Sequence, residues 1–221
     1  MDNNHNLEAL SLTLVEYVKG DFYGKTLALT SLLPLFLISS MATVIFIRRD
    51  LQTIFFFTGV ILNELLNFIL KTVYNQARPT FTGYHHRGVY SKAGMPSNHA
   101  QFVSFFAFYL SWFLVMKCET LKGWKILHIA VIWAPSVLCI TSRVYLRYHT
   151  LEQVLSGMFF GFIFFLIWAS LTSTVRPSYG KLTALPLCRF FLIKDTSKVK
   201  NITEFECECV HQFNLSINKK D

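Results

Sequence analysis

Acidic side chains are scarce across the middle of this sequence. Between Glu64 and Glu152 the only one is Glu119. A Mg²⁺ site is built from carboxylate oxygens, so this poverty argues against a carboxylate-held metal in that region. Charge of either sign is low. Asp, Glu, Lys and Arg make up 15% of residues, against 52% hydrophobic, where an average globular domain is about a quarter charged. The five cysteines (Cys118, Cys139, Cys188, Cys207 and Cys209) are odd in number and lack a framework spacing. Cys207-Glu208-Cys209 is not a C-x-x-C metal pair, and all five read as free thiols. The opening MDNNHNLEAL lacks the basic region and apolar core of a secretory signal. No internal repeat or low-complexity tract is visible.

What fills the sequence instead is long apolar runs, at 26–47, 51–70, 100–116, 126–140 and 154–173. A membrane-spanning helix needs about 20 mostly apolar residues. The fourth run reaches that length only with Lys125 or Ser142 at the interface. The expected fold is all-α, a polytopic integral membrane helix bundle of about five transmembrane helices, with residues 1–221 as one domain. The first span does the targeting. The tight Arg48-Arg49-Asp50 connection makes the first two spans antiparallel neighbours. With five alternating spans, the segments 48–50 and 117–125 and the tail 174–221 share one side and hold the larger share of the 21 Lys and Arg. Short basic loops stay cytoplasmic. The tail is therefore expected to be cytoplasmic and the segment 142–149 lumenal or exterior. Within the tail, LPLCRFFLIKD is too short to span and reads either as an interfacial helix or as a packed segment.

The second span ends on a polar stripe. Glu64, Asn67, Lys71 and Arg78 recur at spacings that share a helical face. Asn63, Glu64 and Asn67 admit two readings: hydrogen bonding between helices or contact with a substrate. Three stretches fall on the same side of the membrane: KTVYNQARP (71–79), MPSNHAQF (95–102) and SRVYLRYHTLEQ (142–153). They carry Lys71, Arg78, Arg143 and Arg147 as cations, together with Ser97, His99 and His149, and no acid before Glu152. Ser97 stands where it would cap the third span, whose first N–H groups then form an anion site. Cations, a helix start and no local carboxylates describe a phosphate pocket, which Arg clamps bidentately and Lys serves as a point charge. Two histidines beside a phosphate suggest phosphoryl transfer without a metal, one attacking phosphorus and one protonating the leaving oxygen. Zinc ligation by His85, His86 and His99 has no supporting spacing. His85 and His86 otherwise read as solvated loop residues or headgroup contacts, and His5, His128 and His211 as structural.

Lys-x₆-Arg-Pro, then Pro-Ser-x-His, then Ser-Arg-x₅-His resembles the three-part signature of the type 2 phosphatidic acid phosphatase (PAP2) superfamily, which includes the vanadium haloperoxidases. MPSNHAQF, SRVYLRYHTLEQ, VEYVKGD and FFLIKDTS further resemble its dolichyl diphosphate phosphatase branch, over landmarks from about residue 15 to 196. The resemblance implies a PAP2/haloperoxidase-type bundle that removes the terminal phosphate of dolichyl diphosphate on the lumenal face of the endoplasmic reticulum, returning dolichyl phosphate for N-glycan assembly. It implies His149 as nucleophile and His99 as general acid. It implies Lys71, Arg78, Ser97, Arg143 and the backbone near Asn98 as phosphate ligands. Asn63, Glu64 and Arg147 are candidate substrate contacts. The implied partners are a polyprenyl diphosphate lipid and the bilayer, with no nucleic acid, metal or cofactor. A broader lipid phosphate phosphatase acting on phosphatidate or sphingoid phosphates, and an inactive membrane scaffold, are the alternatives. Two positions depart from the superfamily pattern. Asn98 stands in place of Gly, and Gln153 in place of an Asp one helical turn after the nucleophile. Gln153 is expected to orient His149.

Overall fold

Pro34 interrupts the first apolar run. It has no N–H and suits the first turn of a helix, whereas inside one it removes a backbone hydrogen bond and kinks or breaks the helix. In the computed structural model, which describes residues 7–10, 15–79, 93–119 and 122–218, that run is accordingly two helices, α1 (Phe22–Thr30) and α2 (Leu33–Arg48), with Pro34 in the first turn of α2. The single helix expected over 26–47 is thus corrected to a broken span of 27 residues. A short antiparallel pair, β1 (Leu7–Ala9) and β2 (Glu16–Val18), precedes it. Then come α3 (Leu51–Tyr74), α4 (Asn98–Lys117), α5 (Lys122–Tyr145) and α6 (Leu151–Val175), followed by the shorter α7 (Tyr179–Thr183), α8 (Pro186–Phe190) and α9 (Ile202–Asn218). Five spans are long and apolar enough to cross a membrane. The chain is a multi-pass helical membrane bundle.

The spans run further than their apolar windows. α4 starts at Asn98 rather than Ala100, and α5 continues to Tyr145. Ser142 and Arg143 therefore sit in the last turn of α5, not in a loop.

α4 is the central helix. Its buried residues, from Ala100 through Phe102, Val103, Phe105, Phe106 and Ala107 to Tyr109, cover every face, as expected for a helix surrounded by others. Its rings pack on α3 and α6: Phe56 stacks on Tyr109 with centroids 4.4 Å apart, and Phe105 meets Phe164 at 5.3 Å. α6 approaches α4 through Gly157 and Gly161, a small-xxx-small pair of the kind that lets membrane helices touch backbone to backbone. A Cβ at Gly157 would lie 2.5 Å from the Ser97 carbonyl oxygen, and one at Gly161 would lie 2.5 Å from that of Gln101. Polar side chains lock α3 to α4: Gln101 Nε2 donates to the carbonyl and to Oδ1 of Asn63 (3.1 and 3.0 Å), and Asn67 Nδ2 donates to Gln101 Oε1 (2.8 Å).

At the opposite end the tail is pinned to the α2–α3 turn. Arg49 takes a left-handed conformation (φ 51°), and Asp50 caps α3 through the Thr53 N–H at 3.1 Å. The other Asp50 oxygen accepts from the Thr196 hydroxyl. Lys194 pairs its backbone with Arg49 and Leu51 (2.9 and 3.0 Å), and Arg48 reaches Glu206 of α9 at 2.6 Å. The LPLCRFFLIKD segment contains α8, with Phe190 and Phe191 exposed.

The glycine contact gives a test. Gly161→Leu must push α6 away from the α4 backbone, and overpacking of this kind costs roughly 1–3 kcal/mol. The unfolding temperature in detergent should fall measurably. Gly123→Ala, where an added Cβ meets nothing within 4 Å, should leave it unchanged.

Candidate active site

Four helix ends meet at one end of the bundle. α3 delivers Lys71 in its last turn. The chain then turns through Asn75, in the left-handed region with φ 42°, to Gln76, Ala77 and Arg78. Ala77 bridges Ala93, and the Gly94 N–H donates to the Gln76 carbonyl at 2.7 Å. This lays the 93–94 segment beside the start of α4, where Ser97, Asn98 and His99 follow. α5 ends on Arg143, whose carbonyl accepts the N–H groups of both Tyr148 and His149 (3.0 and 3.1 Å). That double acceptance folds His149 back toward Arg143. Thr150 and Gln153 form a capping box that starts α6.

The geometry fixes the protonation of His149. Gln153 Nε2 donates to the Ala77 carbonyl (2.9 Å) and to Gln76 Oε1 (3.1 Å). Gln153 Oε1 is thereby turned toward His149 Nδ1 at 3.1 Å. On the other side of the ring, Arg78 Nη1 lies 3.0 Å from Nε2. A guanidinium only donates, so Nε2 is a lone pair and Nδ1 carries the proton given to Gln153. The residue is 4% exposed. Burial first, then the charges of Arg78 and Arg143, hold its imidazole well below the ordinary histidine range, against the opposing effect of the Gln153 bond. His149 is therefore neutral, with Nε2 facing the cations.

Arg143 is 3% exposed and is held by hydroxyls rather than carboxylates: its Nε donates to Ser142 Oγ at 3.1 Å, and its Nη2 donates to Ser31 Oγ. Its guanidinium also lies over the Tyr148 ring, 5.2 Å from the centroid. The Tyr148 hydroxyl in turn accepts the Glu16 N–H (2.9 Å), which fastens β2 to this turn. His99 Nε2 donates to the Ser31 carbonyl at 3.1 Å. Ser97 occupies the N-cap position of α4, but its side chain makes no capping bond, a correction to the expected cap. Its backbone N–H donates instead to the Gln153 carbonyl at 2.9 Å. Ser97 Oγ is buried without a partner among the described residues.

Two cavities meet at Glu64 and Asn98. One, about 420 Å³, includes Lys71, Thr72 and Asn75; the other, about 260 Å³, includes Ser31, His99 and Phe102. The active end therefore does hold a carboxylate, Glu64, contrary to the expectation of none on this face. Among the described residues no group of three or more His, Cys, Asp or Glu is placed to hold a metal ion.

One candidate contact is placed between helices: Asn63 is fully buried against Gln101 between α3 and α4. Arg147 is left-handed (φ 59°) and exposed, on the turn between α5 and His149. His128 lies on an exposed face of α5 and His211 on α9. His5, His85 and His86 fall outside the described residues. Ser31, Gln76, Gln101 and Tyr148 were not singled out from sequence. The available signals were Ser31 ahead of Pro34 and a glutamine within the α4 apolar run.

Fold and site define a class: a multi-pass membrane bundle with two histidines and several cations converging at one end. The sequence model of the PAP2 superfamily matches residues 52–177, more than half of the chain, and the chain belongs to that superfamily. It is similar to human dolichyldiphosphatase 1, 39% identical over 207 residues, covering 89% of this chain and 85% of the relative. It is also similar to Arabidopsis thaliana lipid phosphate phosphatase gamma, 34% identical over 212 residues, covering 90% and 89%. The fold is that of a PAP2-type transmembrane phosphatidylglycerolphosphate phosphatase from Bacillus subtilis, with a TM-score of 0.59, 24% identity, and 70% and 79% of the two chains covered.

Two expected outcomes follow from the His149 geometry. In Gln153→Leu the ring loses its acceptor, a hydrogen bond worth roughly 1–3 kcal/mol when its partner is left buried. Turnover should fall about ten- to hundredfold with little change in KM; a fully active, folded Gln153→Leu protein would remove the orienting role. The second outcome concerns titration. A neighbouring positive charge disfavours the imidazolium, so removing it in Arg78→Gln should move the His149 titration to higher pH. Histidine NMR of the purified protein would read the shift, and a downward or absent shift would contradict the contact.

Proposed function

We propose that the protein hydrolyses dolichyl diphosphate to dolichyl phosphate and inorganic phosphate at the lumenal face of the endoplasmic reticulum membrane, with its tail cytoplasmic. The observation that carries the reading is His149, held neutral and tautomerically fixed with its Nε2 lone pair directed into a set of cations. Similarity to dolichyldiphosphatase over most of the chain supports the substrate.

The terminal phosphate enters among Lys71, Arg78 and Arg143. Its oxygens displace the neutral imidazole as the partner of Arg78, which frees Nε2. Nε2 attacks phosphorus, and the bond from phosphorus to the bridging oxygen breaks. His99 takes up a proton at Nδ1 as the negative charge of the substrate arrives, and it gives that proton to the bridging oxygen as dolichyl phosphate leaves. Water then attacks the phosphohistidine, giving its proton to His99, and inorganic phosphate departs with His149 restored. The cations, the Ser97 hydroxyl and the N–H groups at the start of α4 neutralise the equatorial oxygens of both transition states. No step uses a metal. The lipid anchors the scissile phosphate at the membrane edge, which is where the helix ends place their charges.

Purified protein should release phosphate from dolichyl diphosphate in excess chelator, faster than from phosphatidate tested alongside. Rapid quenching should trap an acid-labile, alkali-stable phosphate that disappears in His149→Ala. Preference for phosphatidate would favour the broader lipid phosphate phosphatase. Loss of activity in chelator, restored by Mg²⁺, would refute the metal-free pocket.

A further inference from the structure

We infer that Ser31, at the break between α1 and α2, is a positioning residue that holds Arg143 and His99 in place together. The inference rests on the reading of the pocket as a phosphate site. Nothing in the local sequence demands a serine here: the surroundings are apolar, and the residue is buried at 4% exposure. The backbone supplies the reason. α1 ends at Thr30 and α2 begins at Leu33, and a helix end leaves carbonyls without helical partners. The Ser31 carbonyl is used by a side chain, accepting from His99 Nε2 at 3.1 Å.

The hydroxyl is oriented as well. It has one proton, which it donates to the Leu27 carbonyl at 3.2 Å. Its lone pairs are thus left for Arg143 Nη2. One residue therefore fixes a catalytic base or acid through its backbone and a phosphate-binding cation through its side chain.

Both anchors are neutral, and this has a consequence for each partner. A carboxylate would hold Arg143 more strongly but would cancel the charge that an incoming phosphate must meet. Two hydroxyls, Ser31 and Ser142, fix the direction of the guanidinium and leave its charge intact. A backbone carbonyl only accepts, so His99 Nε2 carries a proton. Nδ1 is then the nitrogen that exchanges a proton with the leaving oxygen. His99 and His149 use opposite ring nitrogens: Nδ1 in His99 and Nε2 in His149.

The test uses the full-length protein in detergent, with orthovanadate and inorganic phosphate as probes. Ser31→Ala should weaken inhibition by both by roughly ten- to hundredfold, the worth of one hydrogen bond to a charged group, and should lower kcat/KM. Ser31→Thr, which keeps the hydroxyl, should restore most of the loss. Thr30→Ala, next to it but directed to Leu27 and Leu138, should do neither. Unchanged inhibition in Ser31→Ala, failure of Ser31→Thr to restore it, or an equal loss in Thr30→Ala would overturn the hydroxyl's role. In ¹⁵N-histidine spectra of the substrate-free protein His99 should be the Nε2–H tautomer, and the Nδ1–H tautomer would overturn the carbonyl's role. A wild-type protein indifferent to vanadate and phosphate would instead count against the phosphate pocket itself.

Discussion

The active end is tied together at Gln153. Its carbonyl accepts the Ser97 N–H, its side-chain NH₂ donates to Ala77 and Gln76, and its Oε1 accepts from His149. One residue thus joins the end of α3, the start of α4 and the start of α6. That junction depends in turn on how closely α6 can lie on α4. Gly157 permits it by giving up its Cβ to the Ser97 carbonyl, and Gly94 lies so close to the Gln153 amide that a Cβ there would come within 2.7 Å of it. Close packing at two glycines thus helps set the angle of the imidazole.

The electrostatics run against folding and toward binding. Arg78, Arg143 and Lys71 all act on His149 from close by. Gathering like charges in a half-buried site is unfavourable, and dispersed neutral acceptors reduce that cost without cancelling it. Under the proposed function, a phosphate dianion would remove the repulsion on arrival and concentrate binding energy where the reaction develops charge, as preorganised stabilisation requires.

The site was legible where a residue had few other reasons to be present. A lysine, two arginines and two histidines at the edges of apolar runs have little use except a common anionic ligand, and the structure brings Lys71, Arg78, Arg143, His99 and His149 to one end. Small polar residues were less legible, because their roles depend on tertiary partners. Ser31 and Gln101 look alike in sequence, yet one meets the site and the other locks α3 to α4. Asn63 admitted two readings, helix tie or substrate contact, and the structure pairs it with Gln101. Arg147 and Arg143 look alike in sequence, yet Arg143 is buried in the last turn of α5 and Arg147 stands exposed on the left-handed turn that follows. Pro34 was the signal for the break in the first span but not a sufficient one, since α5 runs through Pro135.

Gln153 in place of an aspartate follows from these same contacts. An aspartate only accepts. It could take the His149 proton, but it has no N–H for Ala77 and Gln76, and it is a methylene shorter. The amide does both, so the segment that delivers Arg78 is joined to the residue that holds the His149 ring. The exchange has an electrostatic side. A carboxylate would stabilise the imidazolium and make His149 more basic, but it would also offset part of the charge of Arg78 and Arg143. A neutral amide leaves a less basic imidazole in a more positive pocket. Under the proposed reaction this balance is favourable. A diphosphate brings more negative charge than a phosphate monoester, and its leaving group is a phosphate rather than an alkoxide, so its hydrolysis asks less of nucleophile basicity and more of charge neutralisation.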